Sequence, residues 1–248
     1  MIRKITSNAN SLIQHVIKLH SSKHRTECNE FIAQGERTIS TLIEAGLTPL
    51  NLFIVEEELA HAKKLANDET IIIVHTSILE KMSTVKSPSG MLATFAIPQQ
   101  PSYDLISSGI VMVEIQDPGN AGTLLRTAVA MNKKTAVFVE SVDPWSPKVV
   151  QASAGAIGMI NIFCISWEEL LENKGTIPLC ALITSQTNNP RDTDLSNALI
   201  VVGNEGNGLA RKRVGQCEEK MTLSMPGGFE SLNASVAGSI ALYITAAH

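Results

Sequence analysis

The stretch ALIVVGNEGNGLA, residues 198–210, runs from a continuous apolar segment into a loop that contains three glycines. A short apolar run that ends at glycine is typical of a buried β-strand followed by a turn. Glycines in such a loop let backbone amides approach a ligand closely. Their spacing matches neither the dinucleotide-binding pattern nor the phosphate loop, and Glu205 would repel a pyrophosphate. The stretch predicts either a site for a donor-rich or cationic ligand, or a tight turn with Glu205 near a helix N-terminus.

The same alternation of apolar runs and helix-like patterns extends over most of the chain and predicts an α/β fold with a largely parallel sheet. The predicted strands are NLFIV, TIIIVH, MLATFAI, IVMVEI, TAVFV, NIFCI, LCALIT and ALIVVG. The segment AIPQQPSYDL has two prolines, which disfavour regular structure. We therefore predict an N-terminal domain at residues 1–98, a linker at 99–105 and a C-terminal domain at 106–248.

A second loop of unusual composition lies in VEIQDPGNAGTLLRTAVA, residues 113–130. A strand is predicted to end before the Asp-Pro-Gly turn, and a helix to begin near Asn120, whose side chain can act as the N-cap. Arg126 follows among apolar residues, so its charge is expected on or near a packed face. The alternative is a surface arginine on an amphipathic helix.

A third polar loop precedes the last helix, in the stretch MTLSMPGGFESLNASVAGSIALY, residues 221–243. A strand is predicted to end at Pro226. A double glycine follows, and then four polar residues, which are Glu230, Ser231, Asn233 and Ser235. One N-cap requires only one such side chain. The surplus predicts a binding site at the start of the last helix.

The charge of the chain is distributed unevenly. Its formal net charge of −4 argues weakly against a general polyanion-binding protein. Residues 1–26, however, contain no acidic residue and include Arg3, Lys4, Lys18, Lys23 and Arg25. This segment predicts either a local phosphate-binding face or an ordinary solvated helix face.

The cysteines, apolar runs and histidines of the chain indicate its cellular compartment and whether a metal site is expected. The four cysteines are far apart and form no CxxC pair, so we expect a reduced, cytoplasmic environment. Neither a signal peptide nor an apolar run of membrane-spanning length is recognised, so no membrane partner is expected. His20 and His24 have helical spacing but lack a third ligand in the sequence, and no metal site is predicted.

Taken together, the three loops resemble the three motifs of the SpoU/TrmH branch of the SPOUT RNA methyltransferases. PGNAGTLLRTA is similar to the first motif, with Asn120 and Arg126 at the family's six-residue offset. IVVGNEGNGL is similar to the second, with Glu205 in place, and LSMPGGFESLNASVA to the third, with Ser231 and Asn233. The order of the motifs and the spacing between them also agree.

The resemblance continues outside these motifs. SPKVVQASAGA is similar to a further family segment, although Gln151 stands where the family usually has arginine. The N-terminal part, including VKSPSGMLATF, resembles the small α/β substrate-binding domain that is often joined to this catalytic domain. The implied fold is a C-terminal SPOUT domain with a parallel sheet and a deep trefoil knot, preceded by a smaller α/β RNA-binding domain.

The resemblance implies methyl transfer from S-adenosylmethionine to a ribose 2′-hydroxyl of RNA, within a homodimer in which the partner subunit supplies the motif-one arginine. The implied residues for catalysis are Asn120, Arg126, Glu205, Ser231 and Asn233. Those for cofactor binding are Val202, Gly203, Asn204, Glu205, Leu223, Ser224, Met225, Leu232 and Asn233. Those for RNA binding are Arg3, Lys4, Lys23, Arg25 and Arg126. No metal is required, because the sulfonium already activates the methyl group.

Two catalytic roles are open to Arg126 in this mechanism. Because arginine stays charged, electrostatic stabilisation of the developing alkoxide is favoured over a role as base. Ribosomal RNA is favoured over transfer RNA by analogy with enzymes of this domain layout. A non-catalytic RNA-binding protein is the alternative outside the enzymes, and the glycine spacing disfavours a nucleotide-dependent oxidoreductase.

Overall fold

The computed structural model describes residues 2–85, 88–184, 194–228 and 230–246. The strands are β1 (Arg3–Ile5), β2 (Glu30–Gln34), β3 (Pro49–Ile54), β4 (Ile71–Val74), β5 (Met91–Ala96), β6 (Gly109–Val113), β7 (Thr135–Val139), β8 (Asn161–Cys164), β9 (Leu179–Leu182), β10 (Leu199–Val202) and β11 (Glu219–Met221). The helices are α1 (Ser11–Lys18), α2 (Ser22–Cys28), α3 (Glu36–Glu44), α4 (Leu59–Leu65), α5 (Thr76–Met82), α6 (Pro118–Ala130), α7 (Pro147–Ala152), α8 (Trp167–Asn173), α9 (Arg211–Gly215) and α10 (Ala234–Ile244).

The chain forms two compact units. The first comprises Met1–Gln99 and Trp145–Gly158, and the second comprises Gln100–Pro144 and Met159–His248. The division after Gln99 lies at the start of the predicted linker. The segment Trp145–Gly158 was expected in the C-terminal domain, but it packs with the first unit.

Aromatic packing accounts for two differences from the predicted boundaries. The Trp145 ring lies 4.9 Å from the Phe31 ring between centroids, which ties the inserted segment to β2 of the first unit. The Tyr103 ring stacks on Phe163 at 6.2 Å, at the core of the second unit. Residues Tyr103–Leu105 form a 3-10 turn, and are therefore a packed part of that unit rather than linker.

The first unit is built on a five-stranded mixed sheet in the order β1-β4-β3-β5-β2. β1, β4 and β3 pair in parallel, and β5 runs antiparallel to β3 and β2. On α1, Ile13 and Val16 are fully buried and pack with Phe53 and Ile72 of the sheet. Their spacing of three residues puts both side chains on one face of the helix. That face anchors α1 to the sheet.

The second unit is built on a six-stranded sheet in the order β11-β9-β10-β6-β7-β8, and every neighbouring pair is parallel. β6, β7 and β10 are buried along their whole length, as expected for a sheet covered on both faces. In a parallel sheet all carboxyl ends lie at one edge. The loops after the adjacent strands β9, β10 and β6 therefore meet there.

One predicted strand end was wrong. β11 ends at Met221, five residues before the predicted end at Pro226. Residues 222–225 continue without regular structure toward the start of α10. Among the helices that the structure describes, none is long and apolar enough to cross a membrane.

Candidate active site

The first loop of the site is fixed by a cap on α6. The Asp117 side chain accepts a hydrogen bond from the backbone amide of Asn120 at 2.8 Å, and Pro118 occupies the first helical turn. The prediction of Asn120 as the N-cap was therefore wrong. Asp117 takes that role, and Asn120 becomes a nearly buried residue inside the helix. Its side-chain amide is not used in capping and can therefore contact another loop.

The loops after β6 and β10 are joined through Glu205. Asn120 Nδ2 donates to Glu205 Oε1 at 3.0 Å, and the backbone amide of Asp117 donates to the same oxygen at 3.2 Å. Burial alone would raise the pKa of the Glu205 carboxyl. The hydrogen bonds from Asn120 and from backbone amides outweigh that effect and hold the pKa below its ordinary value. Glu205 is thus a fixed, ionised acceptor in this loop.

The glycine-rich loop after β10 is folded tightly on itself. Asn204 Oδ1 accepts hydrogen bonds from the amides of Gly206 and Asn207 at 2.9 and 3.1 Å, and Asn204 Nδ2 donates to the Glu114 carbonyl at 2.9 Å. A Cβ on Gly203 would lie 2.5 Å from the carbonyl carbon of Gly208. Glycine at 203 is therefore required for the close approach of the two backbone segments.

Asn233 caps the last helix. Its Oδ1 accepts from the amides of Ser235 and Val236 at 2.9 and 3.4 Å and from the Ser235 hydroxyl at 2.7 Å. A capping role thus accounts for two of the four polar residues in this stretch. Glu230 and Ser231 are exposed and line a cavity instead.

Small residues bring α10 close to the site. A Cβ on Gly238 would lie 2.5 Å from Leu124 Cδ2 and 3.0 Å from Val202 Cγ2. The hydroxyls of Thr127 and Ser239 lie 2.9 Å apart and link the same two helices. Small residues near the start of this helix therefore allow it to pack directly on α6 and β10.

A cavity of about 340 Å³ lies at the carboxyl edge of the sheet. Seven of the nine predicted cofactor residues line it, which are Val202, Gly203, Asn204, Glu205, Leu223, Met225 and Leu232. Ser224 and Asn233 are not among its lining residues. Backbone of the glycine loop forms one part of the wall, and apolar side chains form another. Such a combination suits a nucleoside-bearing ligand, whose base is flat and whose edges are polar.

Part of this wall was not predicted from the sequence. Leu182, Ile183 and Thr184 also line the cavity, at and just after the end of β9. These residues lie at the cavity because β9 pairs with β10 in the sheet. Strand order is not visible in a single sequence.

Arg126 lies outside this group. Its side chain is exposed, and it is not a lining residue of the cavity. In the single chain Arg126 lies at the surface, and its role in the site stays a prediction. Any role of Arg126 in catalysis requires substrate or a second subunit to reach it.

The basic N-terminal segment divides into exposed residues and one buried residue. Arg3, Lys4 and Lys23 are exposed, with polar or acidic partners at Asn51, Glu56 and Glu27. The side chain of Arg25 is buried, and its guanidinium donates to the carbonyls of Leu19 and His20 at 2.8 and 2.9 Å. The prediction that Arg25 contacts RNA is corrected, because this guanidinium is committed to the turn between α1 and α2.

Solved structures with the same arrangement are RNA-modifying enzymes. A crystal structure of an RNA 2′-O ribose methyltransferase has 28% sequence identity and a TM-score of 0.80, over 98% of this chain and 97% of that chain. An AdoMet-bound rRNA methyltransferase from Sinorhizobium meliloti has 23% identity and a TM-score of 0.86 over the same shares, which shows likeness of fold. This chain therefore has the fold of these RNA methyltransferases.

The chain belongs to the SpoU rRNA Methylase family, whose model matches residues 107–243. A second model, for the MRM3-like substrate binding domain, matches residues 10–93. These matches confirm the resemblance that the three loops and the N-terminal part carry.

Two relatives align with almost the whole chain. An uncharacterised tRNA/rRNA methyltransferase from Synechocystis is 27% identical, over 98% of this chain and 93% of its own length. The 23S rRNA (guanosine(2553)-2′-O)-methyltransferase RlmP of Bacillus subtilis is 22% identical over 98% of both. This chain therefore corresponds to nearly the full length of both relatives.

Proposed function

We propose that this protein methylates a ribose 2′-hydroxyl of ribosomal RNA. The observation that carries the proposal is the hydrogen bond between Asn120 and Glu205, which joins two of the family's motifs beside the cavity. RlmP, which aligns end to end with this chain, is named for the same reaction on 23S rRNA. The MRM3-like substrate-binding match supports an RNA substrate as well. Transfer RNA is the alternative substrate, since the Synechocystis relative is named for both.

The cavity residues have separate roles in this proposal. The backbone of Gly203 and Asn204 and the side chains of Leu223, Met225 and Leu232 hold the adenosine part of S-adenosylmethionine. When bound, the cofactor supplies a methyl group activated by its sulfonium. These residues enclose the base in a cavity of about 340 Å³, within the range that small-molecule sites occupy.

The polar residues act on the substrate. Ionised Glu205 fixes the amide of Asn120, and Asn120 and Ser231 orient the ribose by hydrogen bonds. A ribose hydroxyl becomes a good nucleophile only as its proton leaves, here to solvent water, so the developing alkoxide needs a nearby positive charge. Arg126 supplies that charge as an electrostatic stabiliser, because its guanidinium does not give up a proton.

The active unit in this proposal is a homodimer, which the partner subunit completes with its copy of Arg126. Support comes from α10, where Val236, Ile240, Tyr243 and Ile244 are exposed large hydrophobics. Their spacing of four, seven and eight residues places them on one helical face. A contiguous apolar face of this kind is typical of a protein interface.

The deep trefoil knot and the cytoplasmic location also belong to the proposal. The tight packing of α10 against α6 and β10, at Gly238, is the arrangement that a threaded C-terminal segment would produce. Unpaired cysteines at all four positions suit a reducing compartment.

The test is methyl transfer from radiolabelled S-adenosylmethionine to unmodified ribosomal RNA and to transfer RNA. The expected result is label in a 2′-O-methylnucleoside of ribosomal RNA, identified by nuclease digestion and mass spectrometry. Asn120→Ala should abolish transfer, whereas Asn173→Ala, which alters a half-buried asparagine at the end of α8, should not. Label only in transfer RNA would select the alternative. A folded protein that binds RNA and transfers nothing would overturn the enzyme proposal.

A further inference from the structure

Three metal-binding side chains meet in the first unit, outside the candidate active site. His24 and Cys28 lie four residues apart on α2, so they project from one helical face. α1 brings His15 to the same place. One ligand atom from each of the three side chains lies within 4.8 Å of the other two. Helical spacing and helix packing together create this cluster, which no single motif contains.

The distances within the cluster suit a tetrahedral ion. His24 Nε2 lies 3.2 Å from His15 Nδ1 and 3.5 Å from Cys28 Sγ. Ligand atoms bound to one tetrahedral zinc ion are separated by roughly 3.3 Å between two nitrogens and roughly 3.6 Å between nitrogen and sulfur, given the usual bond lengths. The cluster therefore has the spacing of zinc ligands and needs little rearrangement.

The outer nitrogen of His15 faces a carboxylate. His15 Nε2 lies 3.0 Å from Glu30 Oε2, whereas the 3.9 Å between His24 Nδ1 and Glu27 Oε2 is too long for a hydrogen bond. Histidines that bind metals generally donate their other ring N–H to a carboxylate or a carbonyl, which orients the ring and increases its basicity. A contact between two histidines does not require a carboxylate at the outer ring nitrogen. The carboxylate therefore indicates a ligand at the ring nitrogen that faces the cluster.

We propose that His15, His24 and Cys28 bind a zinc ion, with Glu30 orienting His15. Two imidazoles and one thiolate favour zinc over the hard cations magnesium and calcium, which prefer oxygen ligands. The three side chains are half-buried, so water has access to the fourth position. Binding displaces the thiol proton of Cys28 to solvent and cross-links α1 to α2.

The test uses the full-length, reduced protein, first stripped of metal and then titrated with cobalt(II) as a spectroscopic probe and with zinc as a competitor. The expected result is one cobalt per chain, with a near-ultraviolet thiolate-to-cobalt charge-transfer band that zinc displaces. Cys28→Ser should abolish the band, and His24→Gln should weaken cobalt binding at least tenfold. Cys164→Ser and His20→Gln are matched controls that should leave the titration unchanged, since Cys164 is exposed elsewhere and His20 contacts the Met82 carbonyl.

A second readout separates metal binding from folding. Zinc should raise the Tm of the wild-type protein and leave the Tm of Cys28→Ser unchanged, while circular dichroism shows that both are folded. Absence of the cobalt band in the folded wild-type protein would overturn the proposal. A band that persists in Cys28→Ser, or that is lost in Cys164→Ser, would overturn it equally. Methyl-transfer activity is not part of either readout, so the proposal stands or falls independently of the proposed function.

Discussion

The side-chain amide of Asn120 donates to the carboxylate of Glu205 at 3.0 Å, across 85 residues of sequence. The two residues follow β6 and β10, which are neighbours in the sheet. The same carboxylate oxygen of Glu205 also accepts a hydrogen bond from the backbone amide of Asp117. The pair therefore makes the shape of one loop depend on the other, in addition to the hydrogen bond from Asn204 Nδ2 to the Glu114 carbonyl.

Glu205→Gln should remove a stabilising negative charge. The part of the unfolding free energy that depends on the ionisation of this carboxyl should be lost with it. The folded-state pKa of Glu205 is below the ordinary value of 4.5, so its contribution is complete above pH 4.5 and is lost as the pH falls through the folded-state pKa. Glutamine keeps an acceptor for Asn120, and we expect a loss of about 1 kcal/mol in unfolding free energy at pH 7. Urea unfolding at pH 7 and pH 4 measures both effects.

The difference between wild type and Glu205→Gln should shrink at pH 4. Glu80→Gln removes the same charge from an exposed position and is the control. A difference that is equal at both pH values would contradict the assignment of an ionised Glu205.

Arg126→Ala should retain cofactor binding and lose methyl transfer. The residue is exposed and lies outside the cavity lining, so the cofactor site should be unaffected. Removal of a charge that stabilises an oxyanion costs about 10²–10³-fold in rate. Calorimetry with S-adenosylmethionine and single-turnover methyl transfer measure the two properties. Arg126→Lys keeps the charge without the planar fork and should recover part of the rate. Normal turnover by Arg126→Ala would exclude the role.

Gly203→Ala should disrupt the glycine-rich loop after β10, whereas Gly206→Ala should not. A Cβ at 203 would lie 2.5 Å from the backbone of Gly208, while a Cβ at 206 would meet only Asn204 Oδ1, at 3.5 Å. We expect Gly203→Ala to cost about 1–3 kcal/mol of stability and to weaken cofactor binding. Thermal unfolding and calorimetric titration of the two variants provide the comparison. Equal effects of the two substitutions would mean that the close approach at 203 is unimportant.

Ile240→Asp should convert the proposed dimer to a monomer and abolish activity. The substitution places a charge in the middle of the exposed apolar face of α10. Leu50→Asp is the matched control, because Leu50 is also an exposed large hydrophobic but lies on β3. Light scattering coupled to size-exclusion chromatography measures the mass of each. A wild-type protein that is monomeric at assay concentrations and fully active would refute the dimer.

Arg25→Ala should destabilise the first unit instead of weakening RNA binding alone. The buried guanidinium satisfies the carbonyls of Leu19 and His20, and its loss should cost about 3 kcal/mol. Lys23→Ala removes an exposed charge from the same helix and should leave stability within about 0.5 kcal/mol. Chemical denaturation of the variants distinguishes the two. Equal stability of Arg25→Ala and wild type would contradict the buried, stabilising role of Arg25.

The strands that the sequence predicts are those with continuous apolar runs. β1 was missed and β11 was placed too late in the chain, because each has only three residues at a sheet edge and includes lysine. Edge strands are commonly short and charged, so their composition resembles that of loops. β2 was also missed, since its five residues begin and end with polar side chains.

In the site, residue types were predictable and their exact roles were less so. Asp117 and Asn120 are both good N-caps, and the proline after Asp117 was the signal that favours the earlier one. Arg25 was assigned by charge to a surface, whereas its burial depends on the path of the chain between two helices. The cavity wall at Thr184 depends on strand order, and the approach of His15 to His24 depends on helix packing. Tertiary neighbours of this kind leave no local pattern.

The all-parallel sheet of the second unit has a consequence for biosynthesis. A parallel pair cannot close through a tight hairpin, and β6 completes its pairing only when Gly109 meets Leu199 on β10. In the first unit, Phe31 gains its contact with Trp145 only after Trp145 has been translated. A nascent chain emerging from the ribosome therefore exposes apolar strands while their partners are still being translated. Slow, late folding of both units follows from this order of contacts.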